Sequence, residues 1–243
     1  MKGMIICEGS TDSILLQYFL RTVYAWKDTK DRIPLSRQFK TFRILKKESR
    51  TLCIGGIGGV GKVKEKFEYI LEINSISADD EAYDKIIILT DRDETTTEEN
   101  FCADIQQILE DRHVQISQKI QNDKWLQCKM HNGQGKEISV DFLLLVIPFE
   151  KTGAMETFLL DAIAKEDAYD ASIIRQGNAF IDSIDPDKRY LSKRRYITKA
   201  KFDVYFSVRT AAEQFVERQN ILKNMPWAQY LLIQESFKKF ADL

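Results

Sequence analysis

The sequence predicts an α/β fold: a mostly parallel sheet flanked by helices, with a helical extension at the C-terminal end. Three observations carry this. Short apolar runs alternate with stretches of helical periodicity, the pattern of successive crossovers in a parallel sheet. The run KIIILT at residues 85–90 is apolar on both alternations, as a strand covered on both faces must be. From about residue 170 the apolar runs give way to basic and helical segments.

Residues 4–7 form the first short strand. Over residues 13–26, Ile14, Leu15, Tyr18, Phe19, Thr22 and Val23 recur at helical spacing, with Ser10, Thr11 or Asp12 as cap. Residues 27–50 are polar and rich in Lys and Arg, with a short pattern of Phe39, Phe42 and Ile44. A second strand at 51–54 leads through a Gly-rich turn to a helix over 60–75. After the third strand, the polar turn DRDETTTEEN precedes a helix over 99–112. A short strand near Val114 is followed by a hairpin in which 125–130 pairs with 138–147. Its connection HNGQG carries the turn signal Asn132-Gly133. A helix follows over 153–166, then a turn at 182–187, a basic stretch at 188–201 and helices over 199–218 and 226–241. The division expected is an α/β domain at 1–168 and a basic, helical extension at 169–243 packed on it.

Composition bounds the function. With 243 residues, 44 % apolar and 30 % charged, the chain suits one generous domain or a domain with an appendage, and disordered, collagen-like and disulfide-rich classes are excluded. The longest apolar run, 142–149, falls short of the ~18–20 residues of a membrane span, and the start MKGMIICEGS lacks a signal-peptide pattern. A cytoplasmic protein with no membrane partner is the expectation. Cys7, Cys53, Cys102 and Cys128 form no CxxC pair, and His113 and His131 adjoin no cysteine, which argues for buried reduced thiols and against zinc. The net charge of −1 divides into +8 over 1–66, −16 over 67–187 and +7 over 188–243. Either a cation site lies beside surfaces that meet an anion, or folding interleaves the segments and the asymmetry disappears.

In open α/β sheets, ligands gather outside the carboxyl ends of the strands. Two such ends carry acids here: Glu8 after the first strand, and Asp91 and Asp93 after the third. In extended chain, residues two apart point the same way, and two carboxylates about 4 Å apart repel by about 4 kcal/mol at an effective dielectric of 20. A shared proton, a basic side chain or a divalent metal has to offset that, and an all-oxygen site suits Mg²⁺ or Mn²⁺. A solvated acidic turn that caps a helix is the plainer alternative.

The ordered set IICEGSTD (residues 5–12), the glycines of 54–61 and IIILTDRD (86–93) resembles the Toprim (topoisomerase–primase) domain over about residues 1–110. The resemblance implies a Rossmann-like sheet and phosphoryl transfer on DNA or RNA, with Glu8 as general acid/base and Asp91 and Asp93 holding Mg²⁺. Further on, the segment IPFEKTGAMETFLLDAI and Lys199-Ala200-Lys201 are similar to small stand-alone Toprim-related proteins and to the nuclease half of the overcoming-lysogenization-defect family. That likeness adds Glu156 as a second metal ligand and gives Lys199 or Lys201 a phosphate-facing role. Helix-start Glu and exposed Lys also occur for structural reasons.

Gly56, Gly58 and Gly61 match GxGxxG, but the acids at the expected distance, Asp79 and Asp80, precede the next strand instead of ending it. Gly56, Gly61 and Lys62 nearly match a P-loop, with Val63 where a hydroxyl should bind Mg²⁺. The remaining readings are a turn whose amides, with Lys62, approach a phosphate, or a purely structural turn. Arg189, Lys193, Arg194, Arg195, Lys199 and Lys201, interleaved with Tyr190 and Tyr196, could meet phosphates and bases or form a solvated helix face. The leading expectation is a Mg²⁺-dependent (or Mn²⁺-dependent) nuclease. Its rival is a non-catalytic metal- or nucleotide-binding subunit that works with a separate ATPase partner. A nucleotide-cofactor oxidoreductase using the Gly-rich loop is the third.

Overall fold

A computed structural model describes residues 1–78, 81–213 and 217–243. The elements run β1 (Lys2–Cys7), α1 (Ser10–Tyr24), β2 (Lys27–Asp28), β3 (Thr41–Lys47), β4 (Arg50–Gly56) and α2 (Val63–Ile76). β5 (Lys85–Asp91), α3 (Thr97–Asp111), β6 (Gln115–Ile116), β7 (Trp125–His131) and β8 (Glu137–Ile147) follow. The chain ends with α4 (Met155–Glu166), α5 (Ala168–Ile184), α6 (Arg194–Arg209), α7 (Arg218–Asn224) and α8 (Leu231–Ser236).

One sheet joins the strands in the order β2-β3-β4-β1-β5-β8-β7-β6. The central neighbours β4-β1-β5-β8 pair in parallel, whereas β2-β3, β3-β4, β7-β8 and β6-β7 are antiparallel. The sheet is therefore α/β but mixed, and the expectation of a mostly parallel sheet is corrected. The reason is connection length. Glu48 and Ser49 alone join β3 to β4, and residues 132–136 join β7 to β8, both far too short for a crossover.

The central apolar runs are explained by burial on both faces. Ile5 and Cys7, Ile87 and Leu89, and Leu143 and Leu145 enter one core, shared with α1, α4 and the C-terminal helices. Their alternating neighbours Met4 and Ile6, Ile86 and Ile88, and Phe142 and Leu144 enter the other, under α2 and α3. Phe202, Phe206, Trp227, Ile233, Phe237 and Phe240 belong to the first core, so the C-terminal stretch covers one face of the sheet.

Several boundaries move. The helix expected at 199–218 is α6, earlier and shorter, while α5 occupies a stretch without a predicted helix. The expected helix over 226–241 is divided into α8 and two single 3₁₀ turns. In the β7–β8 hairpin the left-handed residue is Gly135 (φ 71°), not Gly133. A side chain on Gly133 would instead meet the Ile76 carbonyl at 2.5 Å. All four cysteines are free, three of them buried and Cys102 half-buried. Among the described residues no helix is long and apolar enough to cross a membrane.

Candidate active site

The carboxyl ends of β1 and β5 meet the starts of α1 and α4 at a cavity of about 450 Å³ lined by Glu8, Asp12, Asp91 and Glu156. Each carboxylate is placed by local chain geometry. Glu8 directly follows β1; its amide donates to the Leu89 carbonyl at 3.1 Å, so its backbone continues the ladder with β5. Its side chain then reaches across, and Oε2 accepts from the Thr90 hydroxyl (2.8 Å) and the Asp91 amide (3.3 Å). Asp12, in the first turn of α1, accepts from the Gly9 amide at 2.8 Å, one half of a capping box. Asp91, the last residue of β5, accepts from the Met155 amide at 2.9 Å. Glu156 is the second residue of α4 and is buried.

Two helix N-termini thus face the cluster, and their amides supply partial positive charge to the carboxylates. That does not balance the set. Burial pushes the Glu8 carboxyl above its ordinary range despite its two hydrogen bonds, and the charges of Asp93 and Glu156 add to the push. Burial, with repulsion from Glu156 and Glu8, raises Asp12 to about 7. Asp91 stands well above the usual carboxylate range, through burial first and then Asp12, Glu8 and Glu156. All three shifts favour the protonated carboxyl, and a cation in the pocket would relieve the repulsion.

Of the residues singled out in the sequence as site candidates, Glu8, Gly58, Asp91, Glu156, Arg195 and Lys199 line the cavity. Asp93 does not. The chain leaves the sheet after Arg92, which bridges to Gly153, so the same-side rule for residues two apart no longer applies. Asp93 turns outward and pairs with Arg194 at 3.3 Å. Lys201 is likewise elsewhere, paired with Asp182 at 2.8 Å.

The Gly-rich loop also plays a different part. The Gly58 and Gly59 amides donate to the Glu8 carbonyl at 2.8 and 3.1 Å, so they hold the glutamate in place and are not turned toward a ligand phosphate. Gly56 lies behind the site, where a Cβ would stand 2.8 Å from the Gly9 carbonyl. Gly61 and Lys62 are exposed and outside the cavity lining. Asp79 and Asp80 lie outside the described residues.

Asp12, read in the sequence only as a cap and as the last residue of IICEGSTD, is the fourth carboxylate of the cavity. Its signal was present, since a capping Asp four residues after a strand-end Glu lands on the same rim. Lys40, preceding β3, and Arg195, in α6, complete the cavity wall. The basic ends of the chain therefore do flank acids.

The donors suit a hard divalent cation by type, all being carboxylate oxygens with unbalanced charge. As the side chains stand, no three His, Cys, Asp or Glu of the described residues form a group that could hold a metal ion. A bound ion would have to draw the carboxylates together.

Fold and site together define an α/β protein with a buried carboxylate cluster at its strand ends and cations around it. The chain belongs to the family described as "Protein of unknown function (DUF3226)", which it matches over residues 2–235. No curated protein matches it. Among solved structures, a hypothetical protein from Pyrococcus horikoshii OT3 is similar at 14 % identity and a TM-score of 0.51, with 97 % of this chain and 98 % of that one covered. That likeness concerns the fold alone. A putative glyoxalase family protein from Bacillus anthracis aligns at 8 % identity and a TM-score of 0.21, covering 59 % of this chain and 93 % of that one, and carries no argument.

Proposed function

We propose that this chain is a metal-dependent phosphoryl-transfer enzyme acting on nucleic acid, a nuclease of Toprim type. The observation that supports it is the convergence of Glu8, Asp12, Asp91 and Glu156 from separate segments on one cavity, with Lys40, Arg195 and Lys199 in its wall. The parallel centre β4-β1-β5-β8 accords with the Rossmann-like core such an enzyme would have. In this reading Asp12, Asp91 and Glu156 hold Mg²⁺ or Mn²⁺. Glu8, whose carboxyl burial pushes above its ordinary range, moves the proton, and Lys199 and Arg195 orient the substrate phosphate. The ion would polarise the scissile phosphate and stabilise the departing oxygen.

The test is a cleavage assay on plasmid, single-stranded DNA and RNA with Mg²⁺ or Mn²⁺, with Asp91→Ala alongside. Metal-dependent cutting by the wild type and none by the variant is expected. Cutting that survives the substitution would remove the assignment. The rival reading is a non-catalytic metal- or nucleotide-binding subunit serving a separate ATPase. Metal binding without cutting would support it.

A further inference from the structure

A second cleft, of about 820 Å³, lies on the antiparallel wing of the sheet, between β3 and the segment 29–37 that crosses its edge. Lys30, Arg32, Arg37 and Arg43 line it, all exposed. Among the described residues no ion pair engages any of these four. The one acid in the lining, Asp31, is already paired with Lys46 at 2.6 Å. The floor is apolar: Ile33, Pro34 and the half-buried Phe42, whose ring lies 5.4 Å from that of Phe39. Four cations of this kind gathered around an apolar floor make a patch of one sign, whereas Arg21, Lys64 and Lys129 each face a carboxylate.

The cleft and the candidate active site both draw on the stretch of chain at residues 40–44. Lys40 is on the cavity wall, and its amide donates to the Gly56 carbonyl at 2.9 Å, which fixes it at the carboxyl end of β4. Three residues further along β3, Arg43 is in the cleft. That is a separation of roughly 10 Å at about 3.3 Å per residue. Lys40 at the cavity and Arg43 at the cleft are thus successive cations along this edge of the sheet.

We infer that this cleft is a track for single-stranded nucleic acid, with Lys30, Arg32, Arg37 and Arg43 meeting backbone phosphates and Phe42 meeting unpaired bases. The combination of a cationic groove and a stacking platform is what an unpaired strand needs. An acidic peptide would use the charges but leave the apolar floor idle, and a duplex would keep its bases from it. The inference deepens the phosphoryl-transfer reading and rests on it for the direction of the strand, toward Glu8 and Asp91.

The experiment is fluorescence anisotropy with a labelled single-stranded DNA 20-mer in EDTA, across a salt series. Arg32→Glu/Arg37→Glu is compared with wild type and with Lys119→Glu/Lys124→Glu, which makes the same charge change at the opposite edge of the sheet. The cleft variant is expected to bind at least tenfold more weakly, with the salt dependence reduced by about 0.7 per lost phosphate contact. The control is expected to change less than threefold. Arg32→Ala/Arg37→Ala, with melting temperatures for every variant, separates lost binding from lost folding. Equal binding by a well-folded cleft variant, no binding by wild type, equal affinity for the matching duplex, or equal competition by polyglutamate would each overturn the inference. Binding that depends on the cleft without cleavage under Mn²⁺ would fault the enzyme reading alone. Cleavage with unaltered affinity in the cleft variant would fault the cleft alone.

Discussion

The Asp91 carboxylate accepts a hydrogen bond from the Met155 amide at 2.9 Å, tying the end of β5 to the first residue of α4. One side chain thus both caps a helix and lines the carboxylate pocket. Asp91→Asn keeps an acceptor oxygen for Met155 and removes a charge from a repelling cluster, so its melting temperature is expected to equal or exceed that of wild type. Asp91→Ala loses the cap, at a cost of about 1 kcal/mol. Both are expected to lose metal-dependent activity. Thermal melts and cleavage assays on the two variants separate the roles.

Asp12 gives a pH signature. Its carboxyl ionises near 3.8 ordinarily and at about 7 in the folded chain. Between those values the native state holds a proton that the unfolded chain has released. This contribution to stability is full below about pH 4 and is lost as pH rises through about 7. Asp12→Asn keeps the acceptor for Gly9 and removes the titration. It is expected to melt on the order of 5 °C above wild type at pH 8, with the gap closing toward pH 4.5. Melting curves across that range check it. A constant gap would contradict the proton-holding pocket.

Arg92 is a support of the site. Its Nε donates to the Pro148 carbonyl at 2.6 Å, its guanidinium pairs with Glu98, and its own carbonyl accepts from Gly153. The side chain is 11 % exposed, so truncation strands groups that water reaches poorly. Arg92→Ala is expected to cost about 2–3 kcal/mol, read as a lower midpoint in urea. An unchanged midpoint would show the network to be dispensable.

Asp93 and Asp12 exchange importance relative to the sequence pattern. Asp93→Asn is expected to reduce metal-dependent cleavage by less than tenfold, because the residue is half-exposed and paired with Arg194. Asp12→Asn is expected to reduce it by at least a hundredfold. The reverse order in kcat would restore the original Asp-x-Asp assignment.

These contrasts show how much could be read in advance. The strands β1, β5 and β8 were legible because burial on both faces forces uninterrupted apolar runs, and Glu8 and Asp91 followed from their positions at the ends of two of them. Asp93 was misplaced because a spacing rule for extended chain was carried past the point where the chain turns. Asp12 was half-read, since its capping role hid its burial among other acids. The helix α5 escaped notice because Ile174 and Ile181 are its only buried residues while Phe180 and Ile184 are exposed, which blurs its periodicity. Gly177 within it lies against α6, where a Cβ would stand 3.2 Å from Val204. β3 was missed because Arg43, Lys46 and Lys47 interrupt its apolar pattern, and its partner β2 is only two residues long.

Calorimetric titration of Mn²⁺ into the protein at pH 7, repeated in buffers of different ionisation enthalpy, addresses the carboxylate pocket most directly. The account predicts that wild type binds the ion and releases about one proton as it does so, and that Asp91→Asn and Asp12→Asn each weaken binding at least tenfold. Absence of binding by wild type, or wild-type affinity in either variant, would contradict it.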